Sequence, residues 1–210
     1  MKKSIIVRNA IMKHKENGLI LANELYFKRL QTSIDKQTFN QTLSRMCKSG
    51  ELMRIARGIY HLPKIGKSGL VPPSEHEIVS AFTSNGTGTV VGYSLYNQLN
   101  LTTQISKHID VLSSKIETSI KTIGNVIVHR VPIHYSESSV KMIQILEVLE
   151  NYHTIEDLNQ EAFVEFTKEI VDWYNEDAFQ QVIAKLKYKD STIAFLRGIL
   201  NSYNRENNLN

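Results

Sequence analysis

Residues 35–63 read DKQTFNQTLSRMCKSGELMRIARGIYHLP, and this stretch decides the fold of the front of the chain. Ser33 or Asp35 can cap a helix N-terminus, and Gly50 suits the left-handed residue just past a helix end. Between them Phe39, Leu43 and Met46 fall at i, i+4 and i+7, one apolar stripe of a helix running to Ser49. At about 100° per residue, Gln37, Gln41, Ser44, Arg45 and Lys48 point the opposite way. These are amides, a hydroxyl and cations, and residues 36–48 contain no carboxylate. After Gly50, two apolar runs (Glu51–Ile55 and Ile59–Pro63) flank Ala56-Arg57-Gly58, which predicts a β-hairpin.

Upstream, residues 4–16 place apolar side chains at helical spacing, with Ile5, Met12, Ile6 and Ala10 expected inward and Gly18 closing the helix. Leu19-Ile20-Leu21 is a short apolar step into a second helix, from Ala22 to Lys28. Helix, helix, helix and hairpin is the order of a winged helix–turn–helix, whose third helix enters the major groove while the hairpin touches flanking backbone or minor groove. Amides pair bidentately with adenine and Arg with guanine, so Gln37, Gln41, Ser44 and Arg45 are the candidate base readers. Lys36 and Lys48, at the helix ends, are candidate phosphate contacts. Arg57 can reach out beside Gly58, which tolerates a tight turn, and Arg54 lies nearby.

The competing reading is a merely solvated polar face, the default for a surface helix. Charge weighs against it. The first 67 residues hold 14 Lys and Arg against four acids, a net of +10, while the rest hold 11 against 17, a net of −6, within a chain total of +4. A basic front joined to an acidic back indicates a module for double-stranded DNA attached to something with a different partner.

Lys64–Pro73 concentrates Gly, Ser and Pro and reads as a linker, giving domains 1–66 and 67–210. Ser74 with Glu77 makes a capping box opening a helix to about Thr83. Strand-like runs follow at Thr87–Gly92, Ile109–Leu112 and Asn125–Val131, with a helix from Ser94 to about Leu99. From Ser138 the pattern is helical, with Val140, Ile143, Leu146 and Leu149 on one stripe and Phe163, Phe166, Ile170 and Trp173 on another. The tail from Asn201 is expected to fray. The fold class is therefore α+β: a winged helix–turn–helix, then a small α+β domain with an acidic helical extension. Between Ser136 and Val182, eleven acids face two lysines. That strip is a solvated face, a partner for the basic domain, or a docking surface for a basic protein.

Several functions are excluded as expectations. No apolar run reaches the length of a signal-peptide core or a membrane span, so a cytoplasmic protein with no membrane contact is expected. Single Cys47, on a predicted helix, forms no intramolecular disulfide and reads as a small buried hydrophobe. Glu75-His76-Glu77 cannot chelate one ion, because adjacent helical side chains diverge by about 100°. His129 and His134 read as structural. Gly86-Thr-Gly88 lacks the spacing and lysine of a phosphate loop. Asp110 with Lys115-Ile-Glu117 has nuclease letters in the wrong order. No catalytic residue, metal or cofactor is expected, and the chain is read as no enzyme.

Phe39-Asn-Gln-Thr-Leu-Ser-Arg-Met, followed by Lys48-Ser-Gly-Glu-Leu-Met-Arg-Ile-Ala-Arg-Gly-Ile-Tyr-His-Leu-Pro, resembles the N-terminal domain of AbiE-type (AbiEi) antitoxins of type IV toxin–antitoxin systems in phage defence. Gly92-Tyr-Ser-Leu-Tyr-Asn-Gln-Leu-Asn-Leu-Thr-Thr-Gln is similar to the same group, and the resemblance covers residues 4–135. It implies a repressor that binds inverted repeats in its own promoter and an antitoxin against a nucleotidyltransferase-like toxin encoded next door. Such a toxin needs Gly-Ser followed by paired carboxylates, whereas Gly92-Tyr93-Ser94 is followed by no acid before Asp110, so this chain is not the toxin. The alternative is a stand-alone regulator whose back domain senses a ligand or dimerises.

Overall fold

The computed structural model describes residues 3–13, 18–67 and 69–207. The chain is a mixed α+β protein with small sheets, and it divides into two compact units, Met1–Ala81 and Phe82–Asn210. Among the described residues no helix is long and apolar enough to cross a membrane.

The first unit opens with α1 (Lys3–Met12), β1 (Leu19–Leu21) and α2 (Ala22–Leu25), which passes into a π-helical turn at Tyr26–Leu30. Then come α3 (Lys36–Lys48), β2 (Met53–Ala56) and β3 (Ile59–His61). The strands form an antiparallel sheet in the order β1-β3-β2, and a bulge at Ile55 shifts the register between Arg54–Tyr60 and Ala56–Ile59. Phe39, Leu43 and Met46 are buried as their spacing predicts, in one core with Val7, Ile11, Ile20, Leu25, Leu30, Ile34 and Leu52.

Helix α1 corrects the expected face. Val7 and Ile11 are fully buried, whereas Ile5 and Met12 are 42% and 48% exposed. Ile5-Ile6-Val7 puts apolar side chains on every side of the first turn, so periodicity could not choose the face; the neighbouring α3 does. The expected extension of this helix to Glu16 lies outside the described residues. A second departure concerns the expected linker, where β4 (Lys64–Gly66) pairs antiparallel with β5 (Gly69–Val71). Gly66 and Gly69 bracket the turn and Ile65 opposes Leu70, a hairpin signal overshadowed by the glycine and proline content.

Helix α4 (Glu75–Thr83) crosses the division between units. The predicted capping box is present: Glu77 N–H donates to Ser74 Oγ at 3.2 Å, and Ser74 N–H donates to Glu77 Oε2 at 2.8 Å. The second unit continues with β6 (Gly88–Val91), α5 (Tyr93–Gln98), β7 (Ile109–Ser113), β8 (Ile120–Ile123) and β9 (Val126–Arg130). Its sheet has the order β6-β7-β9-β8, with β7 and β9 parallel and the outer pairings antiparallel. Helices α6 (Glu137–Asn151), α7 (Gln160–Trp173), α8 (Glu176–Ile183) and α9 (Asp190–Asn207) follow. Helix α6 is the centre of this unit. Its Met142, Ile143, Ile145, Leu146 and Val148 are fully buried, and it touches β6, α7, α8 and α9. Helix α9 continues through Asn207, and the remainder of the tail expected to fray lies outside the described residues.

Candidate nucleic-acid interface

Asp35 fixes where α3 begins. Its carboxylate accepts the Thr38 N–H at 2.8 Å and the Thr38 hydroxyl at 2.9 Å, and it pairs with Lys3 at 3.1 Å. Those hydrogen bonds, the backbone one first, hold its pKa well below the usual carboxylate range. At the other end Gly50, with φ of 76°, lets the chain leave the helix, and Leu52 N–H donates to Met46 O at 3.1 Å.

With Phe39, Leu43 and Met46 facing the core, Gln37, Gln41, Ser44, Arg45 and Lys48 are all exposed along the opposite side of α3. None of the five makes a side-chain hydrogen bond or ion pair with another described residue. Exposed Asn40 stands at the edge of this row, an amide the sequence reading passed over although its residue type and position both recommend it. Arg45 and Lys48 lie in the last turn, where cations also suit the helix dipole. That accounts for the two charges but not for the amides.

Lys36 is placed differently. Its ammonium donates to Asn23 Oδ1 at 2.6 Å and sits 4.2 Å above the Tyr26 ring, while Tyr26 O–H donates to Ile34 O at 3.1 Å. This cation therefore ties the start of α3 to the preceding helical turn. Arg54 and Arg57 are exposed on the β2–β3 hairpin. Arg57 occupies the turn, Gly58 takes a φ of 77°, and Gly58 O accepts the Ala22 N–H at 2.9 Å, fixing the turn to the start of α2. Arg54 lies beside Tyr60 and Cys47; burial pushes both of those groups up, against a smaller lowering by the Arg54 charge. A raised thiol pKa suits a structural Cys47 rather than a nucleophile.

The acids of this region are occupied. Glu24 pairs with Lys28 at 2.7 Å and Glu51 with Arg8 at 2.7 Å, besides Asp35 with Lys3. Surface pairs of this kind contribute about 0–1 kcal/mol to stability. Their larger effect here is on the field, because they leave Arg45 and Lys48 without a carboxylate partner among the described residues.

In the second unit nine of the eleven strip acids are exposed, and Glu147 and Glu150 turn to structural contacts. Glu150 accepts the Lys189 N–H at 3.1 Å and pairs with its ammonium at 3.1 Å, joining α6 to the start of α9. Glu147 accepts the Tyr96 hydroxyl at 3.1 Å. Burial raises the Glu147 carboxyl, the Tyr96 and Gly92 N–H hydrogen bonds oppose it, and burial wins. On α7, Glu161, Glu165 and Glu169 repeat every fourth residue, and Lys168 pairs with Glu165 at 2.7 Å. Like charges at this spacing cost a helix roughly 0.2–0.5 kcal/mol per pair.

Asp110 accepts a hydrogen bond from His129 Nε2 at 3.0 Å, which places one predicted structural histidine against the sheet's lone carboxylate on β7. Among the described residues no three His, Cys, Asp or Glu side chains are grouped to hold a metal ion. The segment Leu101-Thr-Thr-Gln104 acts as a clasp. Leu101 is fully buried and its C=O accepts the Asn159 N–H at 2.8 Å, the Thr102 hydroxyl donates to Glu156 O at 2.6 Å, and the Gln104 amide donates to Asp157.

No curated protein matches the chain. Residues 7–190 match the sequence profile of a family, and the match runs from α1 to the first residue of α9, taking in residues of both units. A match of that extent places the chain in the DUF6088 family, described as a family of unknown function.

Proposed function

We propose that the first unit is a winged helix–turn–helix that binds double-stranded DNA through the outer face of α3 and the Arg57 turn. One observation carries the reading: Gln37, Gln41, Ser44, Arg45 and Lys48 form an exposed row in a helix devoid of carboxylates, with its acidic neighbours neutralised by other cations. Amides and Arg45 read base edges, Lys48, Arg54 and Arg57 grip phosphate, and Lys36 positions the helix. The chain represses its own operon at promoter inverted repeats, one recognition helix per half-site. It is also the antitoxin of a pair whose toxin is a nucleotidyltransferase-like enzyme. That half of the proposal is supported by the resemblance to AbiE-type antitoxins and by an exposed acidic strip suited to a basic protein. No catalysis is assigned to the chain.

The DNA reading is tested by fluorescence anisotropy on a duplex from the chain's own upstream region, across a salt series. Arg57→Ala with Lys48→Ala should reduce the slope of log K against log salt by about two, at roughly 0.9 per phosphate contact. Both side chains are exposed, so far-UV circular dichroism should be unchanged. Absence of binding, or an unchanged slope, overturns the assignment. Co-expression with the neighbouring gene tests the other half: growth should be rescued. DNA binding without rescue would leave a stand-alone regulator.

A further inference from the structure

The β4–β5 hairpin carries apolar side chains that the core does not take. Ile65 is 87% exposed, and its cross-strand partner Leu70 and the adjacent Val71 are 47% and 42% exposed. A single exposed aliphatic, such as Ile105 in the second unit, needs no explanation. Three on one pair of three-residue strands do, because a two-stranded hairpin is marginal by itself and gains nothing from leaving them in water.

Charge identifies what they meet. From Leu52 to Ser74 the sequence holds Arg54, Arg57, Lys64 and Lys67 and not one carboxylate. Lys64 is paired with Glu77 at 3.3 Å, and exposed Lys67 stands in the turn. The tip is also slender. Gly66 and Gly69 put no side chain at the tip, and a Cβ on Gly66 would stand 2.8 Å from Val71 Cγ2 and displace it. A narrow basic ribbon bearing a bare aliphatic pair matches the minor groove, about 6 Å wide, where apolar wedges part base steps and bend the duplex. Reach permits it: the six steps along the chain from Gly58 to Lys64 span at most about 21 Å, less than the roughly 34 Å of one DNA turn.

We propose that the β4–β5 hairpin is a second DNA-contacting element, which inserts Ile65 and Leu70 at a minor-groove base step and bends the duplex while Lys67 holds its phosphates. The inference rests on the DNA-binding reading of the first unit. The test uses the full chain and an upstream-region duplex of about 40 base pairs, roughly four helical turns, labelled at its ends for energy transfer. Wild type should raise transfer on binding. Ile65→Ser with Leu70→Ser should abolish the rise and weaken affinity about tenfold at unchanged salt slope, while Ile65→Leu retains both. Lys67→Ala should keep the bend and lower the slope by about one. Binding by wild type without a rise, or a serine variant that bends DNA as wild type does, overturns the inference and leaves the α3 reading standing. A serine variant that alters sedimentation but not bending overturns it too, in favour of a second copy of the chain on the hairpin. Failure of the wild type to bind any duplex removes both.

Discussion

Asp35 and Glu147 are carboxylates pushed in opposite directions, so they give opposite dependences of stability on pH. Hydrogen bonds from Thr38 lower the Asp35 pKa, so its contribution is present above the ordinary carboxylate value near 4 and is lost as pH falls through its depressed folded value. Asp35→Asn should therefore lose less of its urea midpoint than wild type between pH 5 and pH 2, and equal losses would count against the cap. Burial raises the Glu147 pKa, so the folded state binds the extra proton and stability falls as pH rises above the ordinary value. Glu147→Gln keeps an oxygen for the Tyr96 hydroxyl and removes the buried charge. It should raise the thermal midpoint at pH 7, with the gain gone by pH 4; a lower midpoint at pH 7 would refute the account. Neither behaviour is legible in the sequence in the same degree. Asp35 was one of two cap candidates, with Ser33, from its place before the apolar stripe, whereas nothing near Glu147 shows that Tyr96, 51 residues away, will reach it.

At the scale of the element, amphipathic segments were the most legible and short apolar runs the least. The stripe Phe39, Leu43, Met46 and the helix-ending Gly50 predicted α3 almost to the residue, because period and caps agreed. Phe39→Ala should cost about 3–5 kcal/mol in urea unfolding, the usual cavity penalty for a fully buried ring. Ser136 caps α6 by accepting the Ser139 N–H at 3.1 Å, and Ser136→Ala should cost about 1 kcal/mol. A loss under a few tenths would mean the buried face of α6 alone fixes its start. Strand β8, by contrast, left no distinct mark. Its Ile120–Ile123 run is exposed at two positions and partly exposed at a third, and pairing with β9 makes it a strand. The same holds for Leu19–Leu21, which becomes β1 because β3 lies alongside it.

Across the whole molecule the two hydrophobic cores share no residue, and the sole tryptophan, Trp173, packs in the second with Lys141 Nζ 4.1 Å above its ring. Phe39→Ala should therefore shift the unfolding transition seen by circular dichroism and leave the Trp173 fluorescence transition in place. Coincident shifts would show that the units unfold as one. By itself the sequence determined the local facts: the amphipathic helices, the capping box at Ser74, the Arg57-Gly58 turn, and a basic front followed by an acidic back. These depend on neighbours within about four residues or on composition, and a chain carries both openly. Only the tertiary structure decided which face of α1 is buried, that Lys36 serves the helix–turn contact, that Leu101-Thr-Thr-Gln104 is a clasp, and that Ile65 stands in water. Each of these turns on a partner distant in sequence or on the absence of one, and packing rather than periodicity sets it.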